Sequence, residues 1–194
     1  MSTIIVSHGY GSSDDSVWFP YLRAALEVRG HRVDIPHLPD TAAPRLEPWR
    51  TVLAARARVA SAGDTVLVGH SLGGVNVLRL LEQHDVDNEG AFAGAVLVST
   101  ASHEVGYDAL AEFFAEPFDW PRIRRAAGQF RVLAAVDDPV NVPDPVEHVK
   151  DLVTGLGATA VVTPTGAHFG ATPDDHMDLP EALRLVLDCL GRDH

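Results

Sequence analysis

Residues 66–74 read Val66-Leu67-Val68-Gly69-His70-Ser71-Leu72-Gly73-Gly74. An apolar run comes first, a G-x-S-x-G pattern centred on Ser71 follows it, and an amphipathic stretch comes next. This order predicts a sharp turn from a β-strand into an α-helix, with the serine hydroxyl exposed at the turn. Gly69 and Gly73 flank the serine because a Cβ at either position would crowd so tight a turn.

The predicted turn gives Ser71 the surroundings of a nucleophile. The helix that begins after it points its N-terminus at the serine, and the free N–H groups there can stabilise an oxyanion. The alternative interpretation is a glycine-rich turn with an incidental serine, since so short a pattern also occurs by chance. The apolar strand before Ser71 and the amphipathic helix after it favour the catalytic interpretation.

Short Val-rich runs alternate with amphipathic stretches along the rest of the chain. Strands are predicted at Thr3–Ser7, Arg32–Ile35, Thr65–Val68, Ala93–Val98, Phe130–Ala135 and Thr159–Thr163. Helices are predicted from Val17 to Arg29, from Pro48 to before Gly63, from Ser71 to about His84, from Pro145 to Leu152 and from Pro180 to Leu190. Several strands are continuously apolar, as expected of strands covered on both faces. The sequence therefore predicts an α/β fold of three layers, with a mostly parallel sheet of about six strands in one domain over residues 1–194.

Composition narrows the class of protein further. The 194 residues are 46% hydrophobic and 22% charged, which suits a soluble globular domain. A formal net charge of −12 would repel phosphate backbones, so a nucleic-acid partner is not expected. Cys189 is the only cysteine, so no intramolecular disulfide can form. The first residues predict a strand and not a signal peptide, and no apolar stretch is long enough for a bilayer, so a cytoplasmic location without a membrane partner is expected.

One segment, residues 99–129, breaks the alternation of strands and helices. It is rich in aromatic residues, namely Tyr107, Phe113, Phe114, Phe118 and Trp120. One interpretation makes it a short lid or pocket wall over the site; the other makes it a helical excursion whose aromatic side chains pack on the core.

A serine hydroxyl needs a general base, usually a histidine that a carboxylate orients. In this fold the chain order is Ser, then Asp or Glu, then His. Nine of the ten histidines fail on order or position: His8, His31, His37, His70, His84, His103, His148, His176 and His194. His168 remains, in a turn that follows the strand Thr159–Thr163 and begins at Gly166. From there its side chain can reach Ser71; a solvated loop histidine is the alternative interpretation.

The acid should follow the strand Phe130–Ala135, where the sequence offers the adjacent carboxylates Asp137 and Asp138. One of them can orient His168 while the other braces the turn, and the pattern alone prefers neither. Asp144 is a weaker third candidate because it is typical of a helix N-cap before Pro145.

The loop after the first strand supplies the other half of a predicted oxyanion hole. It reads His8-Gly9-Tyr10-Gly11 and resembles an H-G-x motif. The backbone N–H groups of Tyr10 and Leu72 are the predicted donors. His8 is expected to brace this loop and to take no part in proton transfer.

With these residues in place, the chain resembles the family of small serine hydrolases that includes the retinoblastoma-binding and YdeN-type proteins, in the α/β-hydrolase superfamily. The resemblance spans nearly the whole chain and includes Trp18, Gly30-His31-Arg32-Val33, Pro36-His37-Leu38-Pro39, Trp49, Leu67–Gly73, Asp137-Asp138-Pro139 and Gly166-Ala167-His168-Phe169. It implies that Asp138, immediately before the proline, is the acid. The family usually has glycine where Ala167 stands.

The resemblance also implies a minimal α/β-hydrolase fold without a large cap domain, and a cofactor-free hydrolase of small esters or amides. The expected chemistry is acyl transfer to water through Ser71, His168 and Asp138. Alternatives are a thioesterase, lipase or amidase with the same triad, or a non-catalytic binding protein that kept the fold. No metal is expected, because no His, Asp or Glu cluster has ligand spacing, and no nucleotide-binding loop is present. The expected partner is a small ester or amide; no protein partner is identified.

Overall fold

Six strands form one sheet in a computed structural model that describes residues 1–170 and 176–191. They are β1 (Thr3–Ser7), β2 (Arg32–Asp34), β3 (Thr65–His70), β4 (Gly94–Val98), β5 (Phe130–Ala135) and β6 (Thr159–Thr163). Their order across the sheet is β2-β1-β3-β4-β5-β6, and every neighbouring pair is parallel. The predicted parallel sheet of six strands is confirmed, with strand ends that differ from the predicted ones by at most two residues.

Eight α-helices connect and cover the strands in the described part of the chain. They are α1 (Phe19–Glu27), α2 (Leu46–Ala57), α3 (Leu72–Gln83), α4 (Val86–Glu89), α5 (Ala111–Phe114), α6 (Trp120–Arg125), α7 (Pro145–Leu156) and α8 (Pro180–Cys189). The longest of them have 12 residues. Within the ranges 1–170 and 176–191, no helix combines the length and the apolar character that crossing a membrane requires.

Three predicted helix limits, the start and end of α2 and the end of α7, were wrong. Helix α2 ends at Ala57 and not just before Gly63, because the chain turns at residues 58–60. Helix α2 begins at Leu46, two residues before Pro48. The N–H groups of a first helical turn have no partner within the helix, so proline is tolerated beyond its first position. Helix α7 continues four residues past Leu152 and ends at Leu156, and Gly157 after it adopts the left-handed conformation of a helix C-terminus.

The helices pack on both faces of the sheet and bury an apolar core on each face. Successive residues of a strand point to opposite faces. On β1, Ile5 therefore packs with α2, α3 and α7, whereas Ile4 and Val6 pack with α1 and α8. This is the arrangement of three layers that the continuously apolar strands predict, because each strand must bury both of its faces. Strands β1, β3 and β4 accordingly have almost no exposed residue.

Parallel strands bring the loops that follow them to one edge of the sheet. The loop after β1 carries Tyr10, the turn after β3 carries Ser71, the loop after β5 carries Asp138 and the loop after β6 carries His168. The topology alone therefore gathers the predicted site residues at a single edge.

Helix α3 begins in direct contact with the backbone of β1. A Cβ added at Gly73 would overlap the carbonyl oxygen of Ser7, and one added at Gly69 would overlap the Cα of Gly74. The prediction that side chains at these two glycines would crowd the turn is confirmed. The close approach holds the start of α3 at the end of β1.

A Gly73→Ala substitution is expected to lower the free energy of unfolding by at least about 2 kcal/mol, because the backbone of β1 cannot give way to the added methyl group. Gly63→Ala is the matched control, since a Cβ at Gly63 meets no atom within 4 Å. Its free energy of unfolding should change by less than about 1 kcal/mol. Urea unfolding measures both values, and equal midpoints for the two variants would contradict this account of the turn.

Candidate active site

Ser71 occupies a strained position between β3 and α3. Its φ of 55° and ψ of −127° lie in a region that residues with a side chain rarely adopt. Two backbone hydrogen bonds hold it there: the Ser71 N–H donates to the Val98 carbonyl at 2.9 Å, and the Gly74 N–H donates to the Ser71 carbonyl at 2.9 Å. The serine is thereby fixed to the end of the neighbouring strand β4, with its side chain partly exposed.

His168 joins Ser71 to Asp138. The Nε2 atom of its ring lies 2.7 Å from the Ser71 Oγ, and its Nδ1 atom lies 2.8 Å and 2.9 Å from the two carboxylate oxygens of Asp138. An ionised carboxylate only accepts hydrogen bonds, so Nδ1 carries the proton of the neutral ring. Nε2 is then free to accept the proton of the serine hydroxyl. The structure thus brings together all three residues predicted for the triad.

The Asp138 carboxylate is buried and has its full complement of partners. Besides His168, the backbone N–H groups of Val140 and Asn141 donate to it at 2.9 Å and 3.3 Å, and the Asn141 side-chain amide donates at 3.2 Å. Burial raises the pKa of Asp138, but the hydrogen bond and charge of His168 and the backbone donors together leave this pKa below its ordinary value. The carboxylate therefore stays ionised opposite His168.

The other two candidate acids have different partners. Asp137 is exposed and accepts a hydrogen bond from the Ala167 N–H at 2.8 Å, so it braces the loop that carries His168. Asp144 accepts a hydrogen bond from the Val146 N–H at 2.8 Å and is the N-cap of α7, as its sequence context predicts. Of the three, only Asp138 contacts the imidazole.

Two side chains that the sequence interpretation did not assign to the site hold the His168 loop from beneath. The Trp18 indole N–H donates to the Phe169 carbonyl at 3.0 Å, and the His70 Nε2–H donates to the His168 carbonyl at 2.9 Å. Ala167 and Phe169 both have positive φ values, 45° and 48°, so His168 lies between two left-handed residues. The hydrogen bonds to the loop carbonyls stabilise this unusual backbone.

His70 is a donor that stays neutral. Burial and, to a smaller extent, the neighbouring His168 together lower its pKa to about 3. Its Nδ1 atom is buried without a hydrogen-bond partner, which fits a ring whose single proton is on Nε2. Chain order excludes His70 as the predicted base, but nothing in the sequence indicates that its ring holds the loop of His168. This contact appears only in the folded structure, where β3 packs closely against the loop that carries His168.

The loop after β1 lies against the serine. A Cβ on Gly9 would lie 3.1 Å from the Ser71 Cβ, so glycine allows this approach. His8 is buried; its Nδ1–H donates to the Gly9 carbonyl at 3.2 Å and its Nε2 accepts from the Leu38 N–H at 3.3 Å. Burial lowers the pKa of His8, which keeps the ring neutral. His8 thus braces the loop, as predicted, and Tyr10 follows beside Ser71.

A cavity of about 480 Å³ opens over Ser71. It is lined by Gly9, Tyr10, Ser12, His70, Ser71, Gly106, Tyr107, Asp108, Ala109, Leu110, Val140, His168 and Gly170. The aromatic segment, residues 99–129, has one part at the cavity and another in the core. Tyr107 lines the cavity and is 53% exposed, whereas Phe113 is fully buried against Trp49 with 5.7 Å between ring centroids. Residues 106–110 therefore form a wall of the cavity, and later residues of the segment anchor that wall to the core.

The fold and the arrangement around Ser71 are those of an α/β hydrolase. The chain matches the family model described as serine hydrolase over residues 4–188, and it belongs to that family. It is 32% identical over 167 residues to YdeN from Bacillus subtilis, which covers 86% of this chain and 85% of the relative. It is 23% identical over 141 residues to the serine hydrolase RBBP9 from Rattus norvegicus, which covers 71% of this chain and 72% of the relative. The resemblance seen in the sequence is confirmed.

Solved structures agree on the fold. The crystal structure of the ydeN gene product from B. subtilis superimposes with a TM-score of 0.90 at 29% identity, covering 99% of this chain and 100% of that one. Est1E from Butyrivibrio proteoclasticus, in a structure with bound ferulic acid, gives a TM-score of 0.75 at 14% identity, covering 99% of this chain and 90% of that one. At so low an identity Est1E shows the fold alone. No large cap domain interrupts the described part of the chain.

His70→Phe should lower kcat about 10- to 100-fold with little change in KM, because the ring remains but the N–H that holds the His168 carbonyl is lost. His84→Phe is the matched control: the His84 Nε2 lies 2.7 Å from the Gly90 carbonyl, in a loop away from Ser71. Steady-state hydrolysis of p-nitrophenyl butyrate measures both. Equal kcat values for the two variants would contradict a supporting role for His70.

Proposed function

We propose that this serine hydrolase cleaves small carboxylic esters or amides through an acyl-enzyme intermediate, with Ser71 as nucleophile, His168 as general base and Asp138 as the acid of the triad. One observation carries the proposal: the continuous path of hydrogen bonds from the Asp138 carboxylate through His168 to the Ser71 Oγ. The strained turn at Ser71, which serves as a nucleophile elbow, supports it further.

In the first half-reaction the Ser71 Oγ attacks the substrate carbonyl carbon while its proton moves to the Nε2 of His168. The carbonyl oxygen becomes an oxyanion, which the N–H groups of Leu72 and Tyr10 stabilise. Asp138 stabilises the imidazolium that forms. His168 then returns the proton to the leaving oxygen or nitrogen, the bond to the leaving group breaks, and an acyl ester on Ser71 remains.

In the second half-reaction water takes the place of the leaving group. His168 accepts a proton from water, whose oxygen attacks the acyl carbon, and the same N–H donors stabilise the second oxyanion. The proton returns to the Ser71 Oγ as the acyl–oxygen bond breaks. The carboxylic acid leaves and the serine is restored. His168 therefore acts first as a base and then as an acid in each half-reaction.

Further expectations from the sequence stay predictions. They are a cytoplasmic location, the lack of nucleic-acid, membrane or cofactor partners, a single domain over residues 1–194, and a lid role for residues 99–129. In the described ranges, no group of three or more His, Cys, Asp or Glu side chains is arranged to hold a metal ion.

Asp138→Asn should lower kcat/KM for p-nitrophenyl butyrate about 10⁴-fold, because an amide facing Nδ1 favours the wrong tautomer of His168. Asp137→Asn is the matched control on the adjacent residue. It keeps an oxygen for the Ala167 N–H, and its effect should stay below about ten-fold.

Ser71→Ala should abolish turnover, with a loss on the order of 10⁶ in kcat. Retained esterase activity in purified Ser71→Ala protein would overturn the proposal. A larger loss in Asp137→Asn than in Asp138→Asn would overturn the choice of acid.

A further inference from the structure

The described lining of the cavity over Ser71 carries a negative side chain and no lysine or arginine. None of the described residues that line it is a lysine or an arginine, whereas Asp108 on its rim is exposed and ionisable. The Asp108 carboxylate has no ion-pair partner among residues 1–170 and 176–191, so no cation in those ranges neutralises it. The His70 ring in the lining stays neutral, because burial lowers its pKa to about 3.

Two more carboxylates lie on the loops that carry the lining residues Gly9 and Val140. Asp14, in the loop after β1, is near enough to act on the buried His8 electrostatically. Asp137 braces the His168 loop and is exposed. The whole chain adds a formal net charge of −12. A substrate carboxylate or phosphate that entered would lose water, would gain no cationic partner and would face like charges.

The uncharged side chains of the cavity offer apolar contacts to a substrate. Tyr10 and Tyr107 belong to two different loops, and both line the cavity with about half of their surface exposed, 50% and 53%. Ala109, Leu110 and Val140 complete an apolar lining. Half-exposed aromatic rings of this kind offer flat apolar surface to an alkyl or aryl group of a substrate.

We propose that the Ser71 cavity selects esters and amides that carry no anionic group, and that Asp108 on the rim is a residue that determines this specificity. The inference rests on the proposed hydrolytic function of Ser71. It goes beyond that function because the triad accepts any carbonyl, whereas the charge of the walls decides which carbonyl compounds reach it. A carboxylate near the scissile bond should raise the barrier for entry and for formation of the oxyanion, which adds a second negative charge.

The test compares two butyrate esters of the same shape. One has 3-hydroxybenzamide as its leaving group and is neutral, and the other has 3-hydroxybenzoate and is an anion. Each kcat/KM is divided by the rate of alkaline hydrolysis of the same ester, so that the intrinsic reactivities cancel. At low ionic strength the wild-type protein should prefer the neutral ester by about ten-fold or more.

Asp108→Lys should reduce this preference about ten-fold, because it replaces a negative charge on the rim with a positive one, and Asp108→Asn should reduce it by less. Glu27→Lys is the charge-matched control. Glu27 is exposed and ends α1, which begins at the catalytic edge of the sheet and runs back towards the opposite edge. The control should keep the wild-type preference.

Three results would overturn the proposal, and a fourth would count against the proposed function on which it rests. Equal corrected rates for the two esters in wild type, or an unchanged preference in Asp108→Lys, would overturn the proposal. An equal loss of preference in Glu27→Lys would also overturn it, because the selection would then come from the net charge of the protein and not from the cavity. Failure to hydrolyse either ester, together with no reaction of Ser71 with a phosphonate, would instead count against the proposed function.

Discussion

The hydrogen bond from the His168 Nδ1 to the Asp138 carboxylate is the interaction on which the site depends. It fixes which ring nitrogen carries the proton and so leaves the Nε2 lone pair facing the Ser71 Oγ at 2.7 Å. The bond has this effect only because the carboxylate is itself immobile: Val140 and Asn141 donate to its remaining positions, and the side chain is fully buried. An acid that moved freely would leave the tautomer and the orientation of the ring undefined.

Much of the surrounding structure holds strained backbone in place. Ser71, Ala167 and Phe169 all adopt positive φ values that residues with side chains avoid. Each lies beside a compensating hydrogen bond: Ser71 donates to Val98, Ala167 donates to Asp137, and the Phe169 carbonyl accepts from the Trp18 indole. The rigid parallel sheet and the contact of Gly73 with β1 supply the fixed frame. Strain at the reacting groups is thus balanced by ordinary hydrogen bonds around them.

The sequence predicts the parts of this arrangement that depend on local pattern or chain order. Apolar runs predict the six strands, the glycines around Ser71 predict the turn, and the order of residues leaves His168 as the predicted base. The pattern could not separate Asp137 from Asp138, because the choice depends on which side chain turns inward from the loop after β5. Nor could it identify Trp18 and His70 as supports of the loop, since these contacts join Trp18 to Phe169 across 151 positions of the chain and His70 to His168 across 98. Such contacts follow from packing in three dimensions and not from any local pattern.

The most direct test of the account is to find where an electrophile that requires an activated serine reacts. The folded protein is incubated with a fluorophosphonate probe and digested, and the adduct is located by mass spectrometry; protein unfolded in urea is the control. The account predicts one adduct per chain, on Ser71, in the folded protein and none in the unfolded protein, because only the folded chain brings His168 and Asp138 to the serine. No adduct in the folded protein, or an adduct on another serine, would contradict it.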